Sequence, residues 1–171
     1  GSKELYEFID DNPILCAAPV DYVNALEVIA ANDQVVSINS CLQVDLFGQV
    51  NSESAGLQHI GGTGGQLDFV MGAFKSKGGQ SFLCTPSRRK KKDGSIESLI
   101  KPRLAEGSIV SVPRSATHYV VTEYGAVNLK GKSTWERSEL LISIAHPDYR
   151  EQLIKEAERM GIWTNTSKIS Y

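Results

Sequence analysis

The chain has 171 residues, 41% of them hydrophobic and 22% charged, which is enough for one domain with a core of its own and far from the composition of a disordered segment. Its 18 basic and 20 acidic side chains leave a net charge of -2, so no long-range field draws in nucleic acid or an anionic membrane, and any anion site must be local. No apolar run approaches the roughly 20 residues that span a bilayer, and no secretory signal opens the chain. The three cysteines, Cys16, Cys41 and Cys84, are widely spaced in apolar surroundings; they read as small buried hydrophobes in a reducing, cytoplasmic protein rather than as disulfides or zinc ligands.

Leu5, Phe8 and Ile9 recur at helical spacing, predicting a short helix over 3–11 that Asn12-Pro13 ends. A second helix is expected after Pro19, with Val23, Leu26, Val28 and Ile29 apolar, running to about Asn32-Asp33. Two strands follow, Val35 to Asn39 and Leu42 to Leu46, the second alternating as a half-exposed strand does. Gly48 to Asn51 reads as a turn into a third short extended piece. Gly61-Gly62-Thr63-Gly64-Gly65 then opens a helix from Gln66, with Leu67, Val70, Met71 and Phe74 on one face, and Gly78-Gly79 breaks it. Ser81 to Cys84 and Ile96 to Ile100 are expected as the arms of a hairpin whose tip is the basic run Arg88 to Lys92 with Asp93-Gly94. Ser108 to Val112 and Tyr119 to Glu123 complete the strands. Two helices close the domain: one from Ser133, with Glu136 completing a capping box, and one from Pro147. The fold class is therefore α/β, a mixed sheet of six or seven strands flanked by helices. Residues 164–171 show no period and are expected as a loose tail.

Four glycines within five residues at the start of a helix let a ligand approach the main chain, beside unpaired N–H groups and the positive end of the helix dipole. The pattern suits an anion or an oxyanion; a tight strand-to-helix turn with no ligand is the alternative. Leu67 stands where a dinucleotide fingerprint counted from Gly62 needs glycine, and no Gly-Lys-Ser/Thr follows, so both common nucleotide motifs fail. The basic run at 88–92 reads as a solvated tip or a contact for the phosphates of a nucleotide-like cofactor; it has no interleaved aromatics, against a nucleic-acid role. His59, His118 and His146 lie apart without metal-binding spacing, so no metal is expected. Glu53 and Glu123 are the acids nearest glycines, and the serines about Glu53 lack a Gly-x-Ser-x-Gly setting.

Several segments in order resemble one family: Ser37-Ile38-Asn39-Ser40, Val44 to Glu53, Gly61 to Phe69, Val121-Thr122-Glu123-Tyr124-Gly125, Leu129-Lys130-Gly131-Lys132 and Ile144 to Arg150. Over roughly residues 3–163 the chain is similar to the C-terminal half of the acetyl-CoA hydrolase/transferase family, especially its 4-hydroxybutyrate and butyrate:acetate CoA-transferase branch. The resemblance implies a CoA-transferase fold of the NagB/RpiA-like kind and ping-pong transfer of coenzyme A between an acyl-CoA and a short-chain carboxylate through a glutamyl-CoA thioester. It implies Gly62 as a backbone oxyanion donor, Gly61, Gly64, Gly65 and Gln66 as the surrounding loop, Asn24 as a positioning residue, and Glu123 and Gly125 in a neighbouring segment. In the family the nucleophilic glutamate lies upstream of the matched region; Glu4 and Glu7 do not match its surroundings. This chain is therefore expected to lack the nucleophile, to be inactive alone, and to work beside its own N-terminal domain in a cytoplasmic protein that is a homodimer when full length. The same machinery with water as acceptor, a hydrolase, and a non-catalytic module that binds a CoA ester are the alternatives.

Overall fold

The computed structural model describes residues 1–91 and 93–164; beyond Thr164, the expected tail lies outside them. In chain order the elements are α1 Lys3–Ile9, α2 Val20–Val23, α3 Leu26–Ala30, β1 Val36–Ser40, β2 Gln43–Asp45, β3 Val50–Asn51, β4 Ser54–Ala55, β5 Gln58–His59, α4 Gln66–Lys75, β6 Gln80–Cys84, β7 Arg88–Lys90, β8 Ile96–Ser98, β9 Ile100–Lys101, β10 Tyr119–Thr122, β11 Gly125–Asn128, α5 Thr134–Ser143 and α6 Pro147–Arg159. The main sheet has the order β1-β6-β10-β11; its first three strands are parallel and β11 returns antiparallel. A second sheet, β3-β2-β9, lies beside it, and β4-β5 and β7-β8 form two small hairpins. This is the mixed α/β architecture expected from the sequence.

One contiguous core joins the layers. Leu83 and Val120 of the main sheet, Val44 and Ile100 of the second, Val70 of α4 and Leu141 of α5 are all fully buried within it. The closing helices form where their caps place them. Ser133 accepts from the Glu136 amide while Glu136 reaches back to the Ser133 amide, and His146 caps α6 ahead of Pro147 at its first turn.

Four expectations are corrected by tertiary contacts. The single helix expected across 20–32 is two, because Ala25 is extended at ψ 128° and Asn24 turns out of the helix to reach α4. The strand at 43–45 is buried on both faces rather than half exposed. It is central in its sheet, and its one acid is satisfied: the Asp45 carboxylate accepts from the Phe47 amide at 3.1 Å, the Gln49 amide at 3.0 Å and Gln49 Nε2 at 2.7 Å. Burial pushes the Asp45 carboxyl up in spite of these bonds. The third correction concerns the basic run. Ser81 to Cys84 is not a hairpin arm but the middle parallel strand, while Arg88–Lys90 pairs with Ile96–Ser98. The run is thus an arm of its own hairpin, where Glu97 faces Arg89 Nε at 2.7 Å, Lys101 Nζ at 2.8 Å and Lys91 Nζ at 3.6 Å. Finally, Ser108 to Val112 makes one bridge, Val50 to Val112, and no strand, whereas β11 forms where none was expected.

Candidate functional site

The parallel strands β1, β6 and β10 end together, Ser40 lying beside Cys84 and Cys84 beside Val121. Ligands of open α/β sheets bind outside such carboxyl ends. Here the glycine loop lies over the end of β1, tied down by Gln66 Nε2, which donates to the Ser40 carbonyl at 2.9 Å. A cavity of about 560 Å³ opens beneath it, lined by Gly62, Thr63 and Gly64 of the loop and by Asn39, Ser40 and Glu53. Ser52, Ser111 and the first turn of α4, Gln66 to Asp68, complete the wall.

The loop is anchored at its base, where the amides of Ile60 and Gly61 donate to the Glu53 carbonyl at 2.8 and 3.2 Å. Among the described residues the next three amides, of Gly62, Thr63 and Gly64, have no hydrogen-bond partner, and the start of α4 has no side-chain cap. The cavity wall therefore includes three successive residues with free amide donors, the kind of group that stabilises a developing negative charge. None of its glycines has the positive φ that glycine permits. A Cβ at Gly61, Gly62 or Gly64 would meet nothing within 4 Å, so the missing side chains leave open approach to the main chain rather than relieve strain. Gly65 differs: a Cβ there would fall on the Asn24 side-chain amide.

Of the residues singled out from the sequence, Gly62, Gly64 and Gln66 line the cavity. Asn24 sits at its margin, donating through Nδ2 to Asp68 Oδ2 at 3.2 Å. Glu123 and Gly125 do not line it. Glu123 follows β10, two strands over from β1, and Gly125 opens β11, one strand further. Glu123 is held there by Ser87, whose Oγ donates to Oε1 at 2.6 Å and whose amide donates to Oε2 at 2.8 Å. Burial by itself pushes the Glu123 carboxyl up; the Ser87 bonds, its own amide and nearby His146 more than offset this and hold it below the ordinary glutamate value. Its ionised form is thus favoured by the fold, an effect present above the ordinary glutamate value and lost as pH falls through the depressed one. Ser87→Ala should return the Glu123 titration midpoint toward the ordinary range, as followed by NMR of the side-chain carboxyl; an unmoved midpoint would show that Ser87 is not the cause.

The histidines lie apart from the cavity, and His118 Nδ1 is buried without a hydrogen-bond partner. His118 is buried against Phe74 and Tyr119, His146 accepts from the Asp148 amide at 3.3 Å, and His59 is exposed at the end of β5. Among the described residues no three His, Cys, Asp or Glu side chains are grouped to hold a metal ion, and no helix is long and apolar enough to cross a membrane. Sequence reasoning missed Asn39, Ser40, Ser52, Asp68 and Ser111 as wall residues. Asn39 and Ser40 were detectable in principle, as the last residues of a strand that feeds an α/β crossover.

A glycine loop with free amides over a cavity at the carboxyl ends of parallel strands is the arrangement of a group-transfer or ligand-binding α/β domain. The chain belongs to the acetyl-CoA hydrolase/transferase C-terminal domain family, whose model matches residues 1–157. It is 59% identical, over 99% of its length, to a probable butyrate:acetyl-CoA coenzyme A-transferase of Syntrophomonas wolfei, of which it covers 38%. It is 51% identical, over 98% of its length, to the butyryl-CoA:acetate CoA-transferase of Anaerostipes caccae, again covering 38%. The crystal structure of RipA from Yersinia pestis matches 95% of this chain, with 36% of RipA covered, at 49% identity and a TM-score of 0.85. The chain thus spans 38% of the length of the two curated relatives.

Proposed function

We propose that residues 1–163 form the C-terminal domain of a CoA-transferase that moves coenzyme A between an acyl-CoA, such as butyryl-, 4-hydroxybutyryl- or acetyl-CoA, and a carboxylate acceptor such as acetate. The observation that carries this reading is the run of free amides at Gly62 to Gly64 over a cavity at the carboxyl end of β1, in a chain so similar to transferases of this kind. A carboxylate is a weak nucleophile, so the reaction needs covalent staging. A glutamate from the rest of the protein attacks the thioester carbonyl, and the acyl group passes to it as a mixed anhydride while the CoA thiolate departs. The thiolate then attacks the glutamyl carbonyl, releasing the acyl carboxylate and leaving a glutamyl-CoA thioester, and the acceptor acid reverses the sequence. Each addition places negative charge on a carbonyl oxygen, which the Gly62 amide stabilises. Gly61, Gly64, Gly65 and Gln66 hold the loop, Asn24 positions the reacting group, and Glu123 and Gly125 border the neighbouring part of the site.

Because the glutamate comes from elsewhere, the chain alone does not turn over. The surface supports a docked N-terminal domain. Tyr6, Phe8, Ile14 and Tyr22 are exposed along the N-terminal arm, beside an open groove of about 1190 Å³, and Val36 and Ile38 are exposed on the free edge strand β1. That larger groove mixes the apolar side chains of Tyr6, Ile9 and Leu15 with Lys3, Glu7, Asp10 and Asp11, and reads as packing surface. The complete protein is a cytoplasmic homodimer in this reading. Incubating it with butyryl-CoA and acetate should yield acetyl-CoA and butyrate. Free CoA in place of acetyl-CoA would make it a hydrolase, and no thioester turnover with any carboxylate would remove the reading.

A further inference from the structure

The cavity contains a charged side chain that the transfer chemistry above does not use. Glu53 is only 8% exposed and lines the cavity. Among the described residues its carboxylate has no hydrogen-bond or ion-pair partner. Next to it, Ser52 Oγ is buried and also unpartnered. The backbone that carries them is firmly set. Asn51, fully buried, accepts through Oδ1 from the amides of Glu53 and Ser54, both at 3.0 Å, and donates through Nδ2 to the Ser54 carbonyl at 2.7 Å. Glu53 in turn anchors the glycine loop through its own carbonyl.

A carboxylate on a largely buried side chain, open only to the cavity and with no protein donor, is incompletely satisfied. A rigid turn that nevertheless holds one in a cavity wall has fixed an acceptor for a donor that arrives with a ligand. An anionic group placed against Glu53 would be repelled, so neither the acceptor acid nor a phosphate suits it; a neutral N–H or O–H does. A CoA thioester has such a group three bonds from its sulfur, the first amide N–H of the pantetheine arm. We propose that Glu53, with Ser52 Oγ beside it, binds the pantetheine amide of the thioester while the loop amides take its carbonyl oxygen. The two ends of the cavity then recognise opposite polarities on one substrate and fix its direction. The assignment of the ligand rests on the transferase reading.

The test uses the complete protein and three butyryl donors: butyryl-CoA, the N-acetylcysteamine thioester, which keeps this amide, and the S-ethyl thioester, which lacks it. Glu53→Ala should lower kcat/KM for the two amide-bearing donors by about 10- to 100-fold more than for the S-ethyl thioester. An equal loss on all three, or no loss on the first two, overturns the proposal. Glu53→Gln should hold or raise the thermal midpoint of the ligand-free protein, since it removes a charge that no protein group pairs; a fall would mark Glu53 as structural and also overturn it. If the wild-type protein transfers from none of the donors, the transferase reading fails separately, and calorimetry with CoA decides the role of Glu53. Binding at least about tenfold weaker in Glu53→Ala supports it, and unchanged binding, or none by the wild-type protein, overturns it.

Discussion

Gly62→Val in the complete protein is expected to lower kcat for CoA transfer about 100- to 1000-fold, the loss found when one oxyanion donor is removed, while the unfolding midpoint stays where it is. The two halves of the expectation rest on different facts. Gly62 lies outside the left-handed region, and no atom comes within 4 Å of the position its Cβ would take. A Cβ there therefore meets neither backbone strain nor a clash, and valine is expected to fold normally. The space it fills is the open approach to three successive free amides, so the isopropyl group excludes the carbonyl oxygen that those amides serve. Gly62→Ala should fall between. Steady-state kinetics beside a thermal melt separates the effects: undiminished transfer by the valine variant would sink the loop assignment, and a lowered melt would sink the claim that the glycine is there for access. Gly65→Ala is the contrasting case, because its Cβ collides with the Asn24 amide and disturbs the margin of the site through packing.

The parts of this architecture legible from sequence are those written in local chemistry. The capping box at Ser133 and Glu136, the His146-Pro147 helix start and the glycine loop opening a helix at Gln66 need only a few neighbouring residues to specify them. What was not legible depends on partners far along the chain. The helix breaks at extended Ala25 although its apolar spacing continues, and there the Asn24 side-chain amide bonds Asp68, 44 positions away. Arg88 to Lys90 looks like a solvated tip until Glu97 is placed opposite. The alternation of Gln43, Val44 and Asp45 suggests one wet face, yet Asp45 is buried because the turn after it supplies three donors. The site divides the same way. The loop was readable as glycines before a helix; its opposite wall, Asn39, Ser40, Ser52, Glu53 and Ser111, is assembled from three separate segments and has no motif.

The turn that carries Ser52 and Glu53 of that wall contains the residue with the largest expected structural effect. Asn51→Ala should cost about 2–5 kcal/mol of unfolding free energy, measured by urea denaturation, because it leaves buried backbone groups unsatisfied at roughly 1–3 kcal/mol each. Asn51 is fully buried, and its amide serves the Glu53 amide, both the amide and hydroxyl of Ser54, and the Ser54 carbonyl. Alanine replaces none of these. Asn51→Asp isolates the parts, since it keeps the acceptor for Glu53 and Ser54 but turns a carboxylate toward the Ser54 carbonyl and adds a charge two residues away from Glu53. It should be no less damaging than alanine. The effect reaches the site through one atom. The Glu53 carbonyl, positioned by this turn, accepts the amides of Ile60 and Gly61 and so holds the base of the glycine loop. Hydrogen exchange at Ile60 and Gly61 should accelerate in Asn51→Ala by more than exchange at Leu83 in the central strand β6. If the two loop amides keep their protection relative to Leu83, the loop is held by something other than this turn. If they lose it, a single buried asparagine links the stability of the domain to the shape of its oxyanion cradle, and the carbonyl of Glu53 anchors the loop while its side chain faces the cavity beneath.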